Sequence, residues 1–379
     1  MTAKPIKIAL VCSTLNQLGG QAAHMRNFYR YLNGQGFEFT FILCSQNEPP
    51  LRNFMLDGGV NLKDIVFIPH AKKKLIFPFV LELRGIFLQE KFDIVHAFET
   101  QTQVLAGWAA SWAGVKKFLC HTESQFLPST ISWPKRVLFR ILNSFLKDYF
   151  TKTITVSSGL KNELIRNNFR PQEKVQLIHL GIIWTGPKNN QFSYPGLTSG
   201  TPIIGTISRL SIEKGLDRMI QAMPLVLNEI PAARFVIYGD GIQKEALVAQ
   251  AKTSGVLEKI EFRAWAKDVP QALQNMEIFV MPSLREGLPI TLLEAMSVGR
   301  LCVASDIEGV RDVIINGIDG ILVDTSDAQI FADAITEVCR EPKKAETMGM
   351  AAANKVQTYF NIEREIALIK ELYQETVTS

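Results

Sequence analysis

The sequence predicts an α/β chain built from two doubly wound, Rossmann-like parallel-sheet domains that face a ligand cleft. Short, uninterrupted apolar runs recur along it, as strands buried on both faces require. Runs with helical periodicity fall between most of them. The alternation breaks once, at 184–200 (WTGPKNNQFSYPGLTSG), and then restarts. With 379 residues, the chain has material for two domains of about 150–200 residues each.

Taken in order, the first half reads as strands at 6–12, 37–43, 64–68, 93–96, 117–120, 153–156 and 175–178. Helical runs lie at 20–33, 75–90, 101–113, 133–149 and 158–167. The Gly-, Pro- and Asn-rich break is a linker. Strands resume at 203–208, 234–238, 259–262, 278–281, 301–304 and 320–323. The expected domains are therefore 1–183 and 184–360. The tail 361–379 is amphipathic, with Ile362, Ile366, Ile369 and Leu372 at near-helical spacing, and is expected to pack back on the first domain.

Hydrophobic residues make up 47% and charged residues 21%, which excludes a disordered chain. The five cysteines (Cys12, Cys44, Cys120, Cys302, Cys339) are far apart. They form no CxxC pair or Cys/His cluster, so no zinc site is expected, and sparse cysteines fit a reducing cytosol. The N-terminus reads as a first strand, not a leader. No apolar run reaches the ~18 residues of a bilayer span. The net charge of +4 is unevenly spread. Residues 1–185 hold 22 basic and 12 acidic side chains, and the remainder hold 19 and 25. A basic first half points to an anionic partner.

The densest chemistry lies at 283–305, SLREGLPITLLEAMSVGRLCVAS. It reads as loop, helix, strand, with Pro289 at the helix start and Gly299 just past its end. Ligands of open α/β sheets bind at such strand-to-helix loops. Glu286 and Glu294 suit hydroxyl groups, because ionised carboxylates only accept hydrogen bonds. In GTISRLSIEKGLDRMIQAM (205–223), Arg209 and Lys214 share one loop and can grip a diphosphate from two sides. Each alone is also an ordinary loop charge. Gly239 in the YGDG turn and the Gly19-Gly20 pair allow close backbone approach, or are turn chemistry only. His96 and His121 end strands and are expected to face the cleft. There is no strand-end Asp-x-Asp, no G-x-S-x-G elbow and no Walker loop.

Together these blocks resemble the retaining glycosyltransferases of family 4, which have the GT-B fold. The resemblance spans nearly the whole chain and is densest over 203–325. It rests on SRLSIEKGLD, YGDG, VPQALQNMEIFVMPS, EGLPITLLEA and VASDIEGVRDVIINGIDGILV, with LGGQAAHM, DIVHAF and TVSSGLKNEL in the first half. It departs at Ala22, at Gly299-Arg300, and at His179-Leu180-Gly181. The resemblance implies transfer of a hexose-type sugar from a nucleotide diphosphate, UDP first and GDP second, to a glycan or lipid-linked acceptor of cell-surface polysaccharide or lipopolysaccharide. No cofactor and no metal are implied. It assigns Arg209 and Lys214 to the diphosphate, and Glu286, with the Gly287 and Leu288 amides, to the transferred sugar. Glu294 is assigned to the ribose, His121 to the reacting centre and Gly20 to the diphosphate and acceptor. Gly205 and Gly239 line the donor site.

The alternatives are a sugar-nucleotide epimerase of the same fold and a non-catalytic nucleotide-sugar-binding subunit. The acceptor side reads as 72–88 and 132–149, where basic residues accompany apolar ones. Such segments suit the inner face of an anionic cytoplasmic membrane; an ordinary packed helix is the other reading. Nucleic acid is not expected, since no recognition motif interleaves aromatic and basic residues.

Overall fold

Two sheets carry the fold. In the first, β1 (Ile6–Cys12), β2 (Phe37–Leu43), β3 (Ile65–Phe67), β4 (Ile94–Phe98), β5 (Lys117–Thr122), β6 (Lys152–Thr155) and β7 (Val175–Leu177) lie in the order 3-2-1-4-5-6-7. In the second, β8 (Ile203–Ile207), β9 (Arg234–Tyr238), β10 (Ile260–Arg263), β11 (Ile278–Met281), β12 (Leu301–Ser305) and β13 (Ile321–Val323) lie in the order 10-9-8-11-12-13. Every paired neighbour is parallel. The computed structural model describes residues 4–12, 20–44, 48–69, 76–127, 131–186 and 192–378. Gly19 and the lysine cluster at 72–74 lie outside them.

Both orders reverse direction at the first strand of their sheet. The reversal lies between β1 and β4 in one sheet and between β8 and β11 in the other. That topological switch point is where an open parallel sheet leaves a crevice beyond its carboxyl edge. The central strands β11 and β12 are buried at every position, as helix-covered strands must be, whereas β2 and the edge strand β10 alternate between more and less buried positions.

The chain divides into Met1–His179 with Glu365–Ser379, and Leu180–Arg364. The first division falls just upstream of the expected 183/184 because Ile182 belongs to the second unit. Its N–H donates to the Phe360 carbonyl at 2.8 Å, and its own carbonyl accepts from Ile362 N–H at 3.1 Å. From Glu365 onward the terminal helix Ile362–Thr378 belongs to the first unit. There the Tyr373 ring packs against Phe37 and Phe39.

The expected linker is partly ordered within the second unit. Helix Pro195–Ser199 is tethered by Glu277, whose carboxylate accepts from the N–H groups of Gly196 at 2.9 Å and Ile203 at 2.7 Å. Arg300 is buried. It donates to the carbonyls of Ser193, Met276 and Val298, and its guanidinium stacks on Tyr194. The Gly299-Arg300 departure is thus an anchor for the incoming chain. Helix Glu48–Asp57 was not foreseen, although Pro49 and Pro50 in its first turn are compatible with a helix start.

Candidate active site

The second unit places two loops side by side at its switch point. One follows β8 (208–215) and the other follows β11 (282–289). Leu284 N–H donates to the Glu213 carbonyl at 2.8 Å. That single bond ties the loops together and sets Lys214 against Glu286. Lys214 Nζ donates to Glu286 Oε1 at 2.8 Å, with side chains 21% and 10% exposed. Ser283 Oγ donates to the same oxygen at 2.6 Å. Residues 72 positions apart in sequence therefore form one charged pair. Arg209 leads the first loop and is exposed.

Glycines hold this arrangement. Gly215 has φ +61°, and a Cβ there would lie 2.1 Å from the Pro282 carbonyl oxygen. Gly239 has φ +143°, and its Cβ would lie 1.9 Å from the Ser208 carbonyl oxygen. The Leu210 N–H donates to the Asp240 carbonyl at 2.9 Å, clamping the Arg209 loop onto the β9 turn. Gly239 is therefore explained by support of the loop. Gly205 sits inside β8, paired to Val236 and Phe279, and a Cβ would strike Met276 Sδ at 2.5 Å. It is a packing glycine, set back from the loops that carry the charges. Gly215→Ala is expected to displace the Lys214 turn and destabilise the fold by about 1–3 kcal/mol. Thermal melting and nucleotide release together check this.

Glu286 and Gly287 form the turn before helix Ile290–Ser297. Pro289 caps that helix from outside instead of occupying its first turn. The Gly287 and Glu286 carbonyls press on Gly309, where a Cβ would come within 2.4 and 2.5 Å of them, so the turn is braced from behind. Leu288 is buried. The first N–H groups of any helix lack intrahelical partners and carry partial positive charge. Glu294 lies on this helix, mostly buried, and burial pushes its carboxyl up to about 7.

The first unit gathers a second cluster. His121 is the penultimate residue of β5, one short of the expected strand end, and it is fully buried. His96 lies within β4, also fully buried, and its Nδ1 pairs with the Tyr373 hydroxyl at 2.8 Å. The expectation that His96 faces a cleft is corrected: the terminal helix covers it. Burial, then the nearby charge of His24, pushes His96 down to about 3. Burial, then His24 and His96, pushes His121 well below the usual imidazole range. His24 was not singled out from sequence, yet it is central. Its Nδ1 pairs with Glu123 at 2.7 Å and its Nε2 with Glu365. Burial opposes its charge, but the Glu365 and Glu123 carboxylates outweigh burial and raise it to about 10. One cationic imidazole thus sits between two carboxylates, beside two neutral ones. Gly20 opens helix Gly20–Leu32, on which His24 lies. Glu99, immediately after β4, holds φ +61° and ψ 146°, a strained backbone for a residue with a side chain.

The model of the family described as Glycosyltransferase Family 4 matches residues 18–183, and that of Glycosyl transferases group 1 matches residues 187–355. An Escherichia coli UDP-Gal:alpha-D-GlcNAc-diphosphoundecaprenol alpha-1,3-galactosyltransferase is 28% identical over all of this chain and 99% of its own length. The Arabidopsis thaliana sulfoquinovosyl transferase SQD2 is 24% identical, covering 94% of this chain and 71% of itself. Among solved structures, Anabaena Alr3699/HepE in complex with UDP and glucose superposes with a TM-score of 0.82 at 16% identity, over 98% of this chain and 100% of that one.

Proposed function

The chain belongs to glycosyltransferase family 4 and has the two parallel-sheet units of the GT-B fold; on that premise we propose that it moves a hexose from a uridine diphosphate sugar to a lipid-linked or glycan acceptor, with retention at the anomeric carbon. The observation that carries this reading is the Lys214–Glu286 pair at 2.8 Å. It presents a diphosphate-binding cation and a sugar-binding carboxylate from one point at the switch of the second sheet.

The residues divide the work by charge. Lys214 and Arg209 hold the diphosphate, the first as a compact charge and the second as a planar fork. Lys214 is already oriented by Glu286, so little ordering remains on binding. Glu286 accepts from sugar hydroxyls, and its second partner, Ser283, keeps it in place. The Gly287 and Leu288 amides and the following helix start add fixed dipoles where negative charge gathers. Glu294 accepts from the ribose hydroxyls. His121 serves the reacting sugar. As the bond from the anomeric carbon to the phosphate oxygen breaks, the acceptor oxygen bonds to that carbon on the same face. The acceptor proton passes to the departing phosphate oxygen. No protein base is required, and the charge on the leaving diphosphate is met by Lys214 and Arg209.

One relative and one solved structure support the donor class. The E. coli relative takes UDP-galactose and a polyprenyl-diphosphate acceptor by name, and Alr3699/HepE holds UDP and glucose. Purified protein incubated with a panel of UDP- and GDP-sugars is expected to release UDP slowly from one hexose donor. Release of a 2-epimer would replace transfer by epimerisation, and binding without turnover would leave only a carrier role.

The acceptor side has its own surface. On the first unit, helix Trp133–Leu146 exposes Trp133 at 73% and Phe145 at 72%. Trp108 packs against both Phe145 and Trp112, and Trp112 against Phe77, so the aromatic face runs across three helices. Lys135, Arg136 and Arg140 stand on the same helix as Trp133. Among the described residues no helix is long and apolar enough to cross a membrane. This face instead suits adsorption to the cytoplasmic side of an anionic bilayer, where each basic residue adds about 1 kcal/mol. Trp133→Ser with Phe145→Ser is expected to abolish co-sedimentation with anionic vesicles at low salt while UDP release persists. Equal sedimentation of the double variant would remove the membrane from the account.

A further inference from the structure

The first unit buries a cation that no carboxylate neutralises among the described residues. Arg170 is 1% exposed, and its guanidinium meets neutral groups. Nε donates to Thr153 Oγ1 at 3.0 Å. One terminal nitrogen donates to the Phe169 carbonyl at 2.8 Å and to Asn143 Oδ1. The other donates to Gln103 Oε1 at 3.1 Å and to Cys120 Sγ at 3.6 Å. The Phe150 and Phe126 ring centroids lie 4.3 and 4.9 Å from its central carbon. Taking an ion out of water is costly, and apolar side chains of like volume often replace buried ions without loss of stability. Packing alone therefore does not call for this residue. What a guanidinium adds is donation in several fixed directions at once.

Gln103 receives that direction. A guanidinium has donors only, so the Gln103 amide must turn its oxygen to Arg170. Its nitrogen then donates to two acceptors, the His121 carbonyl at 2.8 Å and Thr122 Oγ1 at 3.2 Å. Gln103 lies on helix Thr100–Ala113, Asn143 on helix Trp133–Leu146 and Thr153 on β6, while His121 and Thr122 are the last two residues of β5. All five are buried. The ring nitrogens of His121 have no hydrogen-bond partner among the described residues, so its ring is held by packing on Phe98 and His96 and through its backbone. We infer that Arg170 and Gln103 are positioning residues for the transfer reaction: the guanidinium sets the orientation of the Gln103 amide, and the amide fixes the end of β5 that carries His121. The inference rests on the reading that places His121 at the reacting sugar.

Gln103→Glu separates positioning from folding. The glutamate keeps an oxygen on Arg170 and gives it a counter-charge, so the melting temperature is expected to stay within a few degrees. It has no N–H for the His121 carbonyl or for Thr122. Gln103→Met, of like length and uncharged, is the companion variant. In both, kcat for UDP release is expected to fall about 10–100-fold, the loss for a group beside the reaction displaced by about an ångström. The donor KM should be nearly unchanged, because Arg209, Lys214, Glu286 and Glu294 are unaltered. A side chain that served only the fold would lower melting and leave the kcat of folded enzyme intact; that result, or failure of both variants to fold, overturns the inference. Nitrogen-15 spectra of histidine-labelled protein need no turnover. The His121 signals are expected to move in Gln103→Glu, while those of His179, paired with the Val156 carbonyl at 2.9 Å, stay in place. If the unmodified protein turns over no nucleotide sugar, the transfer reading fails by itself, and unmoved His121 signals then overturn the inference.

Discussion

Lys214→Ala is expected to lower UDP release from the donor by about 10²–10³-fold, the loss that follows removal of one fixed charge stabiliser from a reacting centre. The melting temperature is expected to stay within a few degrees. The Lys214–Glu286 pair is only partly buried, at 21% and 10% exposure, and pairs at or near the surface contribute about 0–1 kcal/mol. Glu286 also keeps Ser283 as a donor, so its carboxylate is not left without a partner. Activity and stability should therefore separate cleanly. Steady-state kinetics and a thermal melt on the same preparation check this, and a variant with unmodified turnover would remove Lys214 from the diphosphate site.

Glu294→Gln is expected to move stability and function in opposite directions. Burial raises the Glu294 carboxyl to about 7 from an unfolded value near 4.5. Between those values the folded state holds the proton more than the unfolded state does. Stability therefore falls as pH rises from about 4.5 to about 7 and is level above that. The shift corresponds to at most about 3 kcal/mol. Glutamine carries no proton equilibrium, so the variant should lack this decline and melt higher than the unmodified protein at pH 8. It also cannot offer an anionic acceptor to two ribose hydroxyls. A lost charge-assisted hydrogen bond is worth about 1.5–3 kcal/mol, which is roughly a 10–100-fold rise in KM for the donor. Melting curves across pH 5–8 and donor KM at pH 8 read the two halves. A variant that melts lower at pH 8, or binds donor normally, contradicts the role.

Much of this was legible from the chain. Fully buried strands declare themselves as apolar runs, and both sheets follow from them with ends shifted by one or two residues. The terminal helix was legible because Ile362, Ile366, Ile369 and Leu372 share a face. Within the donor loops, Glu286 and Lys214 were legible as residue types at strand-to-helix turns. Their contact was not, because it depends on the Leu284–Glu213 backbone bond. Arg300 read as a departure from pattern because its role lies in carbonyls at 193 and 276, which no local rule connects to it. His24 was passed over for the same reason. Its meaning comes from Glu123 and Glu365, brought to it by sheet order and by the returning helix. Gly205 and Gly239 are expected in the donor site; the structure adds that a Cβ at either would strike Met276 or the Ser208 carbonyl, a tertiary constraint that the sequence does not display.

The central claim is that Lys214 grips the diphosphate while its neighbour Glu286 grips the sugar. Calorimetric titration of UDP and of the active UDP-hexose into the unmodified protein, Lys214→Ala, Glu286→Gln and the double variant tests it directly. UDP affinity should fall at least tenfold with Lys214→Ala and be unaffected by Glu286→Gln, whereas UDP-hexose affinity should fall with both. Undiminished UDP binding by Lys214→Ala, or equal loss of UDP and UDP-hexose binding with Glu286→Gln, would contradict the account.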